Sequence, residues 1–333
     1  MSKSANQFAV LNNLLTGQNI VFTGLAWSAA TVFFFLSFSI TLPGEESPLW
    51  YSLGTYILET VPYGLAAWLC YRNWKSPQIA SGREVWFFIG LGLGAYFLAN
   101  FLFGIWELYF GLDPEISPAD LFYVSFTIFV GWGMVLAVLP RRLNLEFKQW
   151  GVIALVAIAG IAFALWLNAA TAEEEVAVEE IGVGTAIAQV ETVENPEAGT
   201  ASATVAVEEE EDQYEGLPGI IVATDRFLGV FARPISLFYA VADVALMIVA
   251  STLLLAFWGG RFSQSWRMIA AAVLAKYIAD MWLKYVASLP GQYESGGLLE
   301  VFYVFAGVLF AIGTALEYDV STSRRGRRRR GLM

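Results

Sequence analysis

The sequence predicts an all-α polytopic membrane protein, with eight transmembrane helices in two tandem four-helix repeats. Three observations predict it. Apolar runs with few charges recur along all 333 residues, 57% of which are hydrophobic, at a mean hydropathy of +0.58. Lys and Arg fall on alternate connections between those runs. Short residue patterns return at fixed offsets in the second half of the chain.

Spans are expected at 18–42, 49–70, 85–110, 119–139, 149–170, 235–258, 266–288 and 298–318. Each can cross about 30 Å of hydrocarbon at about 1.5 Å per residue. Helices are the expected form because they satisfy their own backbone groups in lipid. The first span follows MSKSANQ, which has no cleavage pattern, so it is expected to be retained. The second opens on Pro48 and Trp50-Tyr51, carries Glu59, and is expected to kink at Pro62. The third holds Gly90, Gly92 and Gly94, which suit close helix approach. The fourth starts at Ser117-Pro118-Ala119-Asp120, where Asp120 is expected to cap it, and continues through Gly131 and Gly133. The fifth lies between Lys148 and a long acidic stretch. The sixth follows Pro234 with Phe238-Tyr239. The seventh contains LAKYIADMWLKY at Leu274–Tyr285, and the eighth opens with Phe302-Tyr303.

The domain organisation follows. Residues 1–170 hold the first membrane unit (spans 1–4) and span 5. Residues 171–234 form an acidic outer loop, 235–320 hold spans 6–8, and 321–333 are a basic tail. The loop combines AEEEVAVEE and EEEEDQYEG with almost no aromatic bulk, so it is expected to be largely disordered, with a strand or hairpin conceivable at Thr200–Val207.

The net charge of −11 hides a segregation. Lys3, Arg72, Lys75, Arg83, Arg141, Arg142, Lys148, Arg261, Arg267 and the RRGRRRR tail occupy one set of connections. Only Arg226 and Arg233 occupy the other set, beside Glu45, Glu46, Asp113, Glu115 and Glu294. Both termini are therefore expected on the cytoplasmic side.

An offset of 176 aligns Leu98, Ala99, Trp106 and Tyr109 with Leu274, Ala275, Trp282 and Tyr285, and sets Asn100 against Lys276. An offset of 180 aligns Phe122, Tyr123, Val124, Gly133 and Leu136 with Phe302, Tyr303, Val304, Gly313 and Leu316, and Asp120 with Glu300. Units with an even number of spans share one orientation, so the expected repeat is parallel, about an axis along the membrane normal. The aromatic-Tyr pairs that open the even spans fit an interfacial belt in depth. Duplication also accounts for their recurrence.

Histidine is absent and Cys70 is the sole cysteine. That removes the commonest general base and metal ligand, and any intrachain disulfide. No catalytic residue, metal site or cofactor is expected. Ionisable groups in lipid mark a site or a structural pair. Glu59, Asp243 and Lys276 each lie nine residues inside their spans, near the midplane. Lys276, Asp280 and Lys284 follow i,i+4 spacing on one helix face. A cluster of Glu59, Asn100, Asp243, Lys276 and Asp280 is the expected substrate or ion site. Interhelical packing by hydrogen bonds is the competing reading.

The pattern Trp106-x-x-Tyr109, Gly111-Leu112-Asp113 and Ser117-Pro118-Ala119-Asp120-Leu121-Phe122-Tyr123 resembles the multi-span membrane-sensor regions of bacterial signalling proteins. Those regions precede cyclase or kinase modules. The resemblance covers spans 3–4 well and 7–8 loosely. It implies a sensing function. No output module follows the last span, so signalling is expected through a partner.

The expectation is thus an integral membrane sensing, binding or scaffold protein acting with a membrane partner. A small-solute or ion carrier is the alternative, and an intramembrane enzyme comes third. Expected partners are the bilayer, anionic lipid at the basic tail, and another membrane protein, with no nucleic acid. A bacterial plasma membrane or a thylakoid is the expected location.

Overall fold

The computed structural model describes residues 15–39, 47–112, 116–139, 146–163, 165–166, 214, 216–257, 263–287 and 296–330. Every described regular element is a helix. They are α1 (Gly17–Phe38), α2 (Leu49–Lys75), α3 (Arg83–Leu108), α4 (Asp120–Val138), α5 (Phe147–Phe163), α6 (Gly219–Gly229), α7 (Ala232–Ala256), α8 (Ser263–Ala287) and α9 (Val301–Arg330). A 3₁₀ turn, Leu298–Glu300, leads into α9.

A helix stands at each of the eight expected spans. Among the described residues, five are long and apolar enough to cross a membrane: α1, α3, α4, α7 and the Leu298–Ser323 stretch. The chain is therefore an integral membrane protein by length and composition. α2 and α8 are long but more polar. α2 carries Glu59 among several tyrosines, and α8 carries Lys276, Asp280 and Lys284. α5 is apolar but shorter.

Three boundaries differ from expectation. Near its C-terminal end, the stretch expected as an outer loop contains α6, an amphipathic helix whose Ile220 and Phe227 are exposed. The next helix starts at Ala232 rather than 235 because Pro234 tolerates a first helical turn, where its missing N–H costs nothing. The backbone of α9 continues into the basic tail to Arg330. Residues 171–213, with the Thr200–Val207 alternation, lie outside the described residues, as do Asp113 and Glu115.

Six helices form a closed circuit of neighbours: α2 packs on α3, α3 on α4, α4 on α7, α7 on α8, α8 on α9, and α9 back on α2. α9 is the most enclosed of the spans, with 72% of its apolar stretch buried against 17–33% in the other four. α1 lies outside the circuit, against α9 and α2. α5 sits elsewhere, where Val156 packs with Val244, Met247, Tyr277 and Met281 of α7 and α8.

Pro62 sits inside α2 without breaking it. Proline strips the carbonyl four residues back of its helical donor. That carbonyl belongs to Leu58, and the Trp27 indole of α1 donates to it at 3.0 Å. The helix defect thus becomes the anchor for α1. At the opposite end of α1, its first amide (Gly17) donates to Asp319 of α9 at 2.6 Å. Arg72 holds the Leu15 carbonyl at 2.9 Å and lies 4.0 Å above the Tyr318 ring.

The α3–α4 and α8–α9 hairpins pack through matching residues. A Cβ on Gly133 would stand 3.1 Å from Ile89 N and 3.1 Å from the Val85 carbonyl. A Cβ on Gly313 would stand 2.9 Å from the Ser265 carbonyl and 3.0 Å from Ile269. Gly133 and Gly313, Val85 and Ser265, and Ile89 and Ile269 are all 180 positions apart. Only glycine permits such backbone approach. At the hairpin turns, Asp120 accepts from Ser117 N at 2.8 Å, and Glu300 accepts from Gly297 N at 3.0 Å, again at one offset.

Candidate functional site

All six helices of the circuit place polar side chains in the interior. α2 supplies Glu59, α3 supplies Tyr96 and Asn100, and α4 supplies Tyr123. Tyr96 OH donates to Glu59 Oε1 at 2.8 Å, and Asn100 Nδ2 donates to the same oxygen at 2.9 Å. Tyr123 OH donates to Asn100 Oδ1 at 2.7 Å. Tyr63, one helical turn along from Glu59, stacks on Tyr96 with ring centroids 3.9 Å apart.

α7 and α8 supply Asp243, Lys276 and Asp280, and α9 adds Tyr303. The Lys276 ammonium donates directly to Asp280 Oδ2 and lies 3.9 Å from Asp243 Oδ1. Tyr303 OH donates to Asp280 Oδ1 at 3.0 Å. Lys276 also sits 5.6 Å from the centroid of the Phe126 ring of α4. Asp243 and Lys276 are buried, at 3% and 7% exposure. Charged groups this deep are held by mutual pairing and charge-assisted hydrogen bonds.

The five expected site residues therefore assemble in two adjoining groups. Glu59 and Asn100 are in one; Asp243, Lys276 and Asp280 are in the other. No family, curated protein or solved structure matches this chain. Its function has to be argued from these groups.

One expected equivalence changes. The Tyr123–Asn100 and Tyr303–Asp280 hydrogen bonds each span 23 residues. An offset of 180 carries the first bond onto the second, setting Asn100 against Asp280 and Tyr96 against Lys276. The offset of 176, which set Asn100 against Lys276, differs from it by about one helical turn. A four-residue slip keeps every side chain on nearly the same face, so apolar periodicity tolerates it.

Sequence reasoning missed Tyr63, Tyr96, Phe126, Tyr123 and Tyr303 as site residues. Tyr123 and Tyr303 are not simply belt aromatics: both hydroxyls bond into the core. Their shared offset was the available signal. Lys284 is half-buried, and its ammonium has no hydrogen-bond partner among the described residues.

The site offers carboxylates, phenols, an amide and an ammonium, without a cysteine or histidine. Among the described residues, no group of three His, Cys, Asp or Glu is placed to hold a metal ion. These groups can exchange protons and hydrogen bonds. Two grooves elsewhere, of about 380 and 390 Å³, are apolar seams between helices and offer nothing to a polar solute.

Proposed function

We propose that this chain crosses the membrane eight times in two tandem four-helix units, and that it senses or binds at a polar core shared by the units, acting with a membrane partner. Both termini face the cytoplasm in this reading, in a bacterial plasma membrane or thylakoid. The basic tail rests on anionic lipid, and the acidic segment lies on the outer face.

Several contacts support the two units. Exchanging spans 2, 3 and 4 with 6, 7 and 8 turns the α2–α9 seam into the α4–α7 seam, and both seams exist. At the first seam, Tyr51 of α2 donates to the Gly296 carbonyl at 2.6 Å. At the second, Tyr239 of α7 donates to Asp120 of α4 at 2.7 Å. The units differ in their outer helices, since α1 lies on α9 and α2 whereas α5 lies against α7 and α8.

One observation carries the sensing and binding reading. Lys276 belongs to the second unit, yet its ammonium lies 5.6 Å from the Phe126 ring of the first, the unit that holds Glu59. A change of charge at either group therefore bears on how the units meet. Such a core suits a protein that converts an internal event into a helix rearrangement read by a partner. A carrier is the second reading, favoured by Glu59, which has no cation partner among the described residues.

Reconstituted vesicles separate the two. In the sensing reading, Glu59→Gln, Asp243→Asn and Lys276→Met alter cross-linking between helices and to a co-purifying membrane partner, with no solute flux in the wild type. Wild-type flux abolished by these changes in folded protein would establish the carrier instead.

A further inference from the structure

The two donors to Glu59 converge on one oxygen. Tyr96 and Asn100 both bond Oε1, and Oε2 accepts no hydrogen bond among the described residues. That is the pattern of a neutral carboxylic acid, whose carbonyl oxygen accepts while the hydroxyl oxygen carries the proton. The charge count agrees. The Lys276 ammonium already serves two carboxyl groups, Asp243 and Asp280, and among the described residues no ion pair joins it to Glu59. Lys284 stands further along α8, where it acts on Asp243 and Asp280.

A buried, unpartnered group stands beside the site. The Tyr63 hydroxyl is fully buried, one helical turn along from Glu59, and has no hydrogen-bond partner among the described residues. The second oxygen of Asp243 is likewise buried, with no hydrogen-bond partner among the described residues. Every helix packed here contributes a titratable or charged group except α1, whose contribution is the neutral Trp27. Tyr96 and Asn100 of α3 bond Glu59, Tyr63 of α2 stacks on Tyr96 and Tyr123 of α4 bonds Asn100, while Asp243 of α7, Lys276 and Asp280 of α8 and Tyr303 of α9 form the adjoining group. Further along α3, Glu107 is taken up by Tyr56.

A metal cation fits poorly. Sodium or calcium needs several oxygen lone pairs. Tyr96 and Asn100 present hydrogens to Glu59, and the Asn100 oxygen is already used by Tyr123.

We propose that Glu59 is a proton-binding site whose occupancy decides where Lys276 pairs. With the proton on Oε2, Lys276 stays with Asp243 and Asp280. When the proton leaves to water, Glu59 becomes an anion and draws Lys276 across the boundary between the units. This deepens the sensing reading and rests on it: the sensed species is a proton, and the moving part is the Lys276 side chain.

The test uses the full chain in lipid nanodiscs. A proton held by the folded chain and released on unfolding stabilises on the acid side and is lost as pH rises. The melting temperature of the wild type is expected to fall as pH rises. Glu59→Gln keeps the Oε1 acceptor, and its profile is expected to lack that fall and to match the wild type's acid-side value. An unchanged pH profile in Glu59→Gln overturns the proposal. So does a sodium or potassium titration at fixed pH that shifts the wild type as strongly as protons do. If Glu59→Gln does not fold, infrared difference spectra of the wild type replace it, with Glu59→Asp to assign the band. Loss of a protonated-carboxyl band on raising pH supports the site, and no such band overturns it. If the proton is found but cross-linking between units ignores pH, the sensing reading fails while the proton site stands.

Discussion

Trp86 of α3 and Trp266 of α8 meet in the core with ring centroids 5.8 Å apart, and they occupy positions 180 residues apart. In the proposed pair of repeats each ring touches its own counterpart, as residues beside a two-fold axis would. The two indoles differ in one respect. Trp86 Nε1 donates to Ser81 at 2.8 Å, whereas the buried Trp266 Nε1 has no partner among the described residues. Trp86→Phe forfeits a hydrogen bond of about 1 kcal/mol, and Trp266→Phe does not. Thermal unfolding in bilayers should rank Trp86→Phe below Trp266→Phe. The reverse order would contradict the assigned contact.

The paired glycines give a matched prediction. Gly133→Ala and Gly313→Ala should each destabilise by roughly 1–3 kcal/mol, because the new methyl meets backbone as well as isoleucine. Gly94 faces open space, so Gly94→Ala should be neutral or mildly stabilising. Equal tolerance at all three positions would refute the close approach of the hairpins.

Trp27 and Pro62 should be coupled although they do not bond each other. Trp27→Phe leaves the Leu58 carbonyl without a donor, at a cost of about 1–3 kcal/mol. Pro62→Ala restores the helical amide that reaches Leu58. In the Pro62→Ala background, Trp27→Phe should therefore cost less. Equal costs in both backgrounds would show that Trp27 does not replace the missing helical donor.

Much of this was legible in the sequence, and the failures have physical causes. Hydropathy located a helix at each expected span because lipid demands long apolar runs. The intramembrane charges at Glu59, Asp243, Lys276 and Asp280 were conspicuous because their burial is costly. The paired hydrogen bonds follow an offset of 180 where sequence alone suggested 176 for α3 and α8, and apolar periodicity cannot separate the two because a four-residue slip keeps the same helix face. Tyr96, Tyr123 and Tyr303 escaped notice because tyrosine suits both the headgroup region and a buried hydrogen bond. The role of Pro62 was half visible. A missing donor could be foreseen, but not that Trp27 supplies a replacement.

Removing the Lys276 charge should be worse than removing the whole ionic group. Lys276→Met strands Asp243 and Asp280, at a cost of roughly 3–5 kcal/mol. The triple change Lys276→Met, Asp243→Asn and Asp280→Asn should recover most of that loss. A triple variant less stable than Lys276→Met would mean the carboxylates are not balanced by Lys276.

The central claim is that Lys276 couples the two halves of the core, and the most direct measurement is a double-mutant cycle between Glu59 and Lys276. Unfolding free energies would be measured for the wild type, Glu59→Gln, Lys276→Met and the double variant, in full-length protein in bilayers. The account predicts an interaction energy of about 1 kcal/mol or more on the alkaline side, shrinking as pH falls and Glu59 is neutralised. Additivity within about 0.5 kcal/mol at every pH would contradict it.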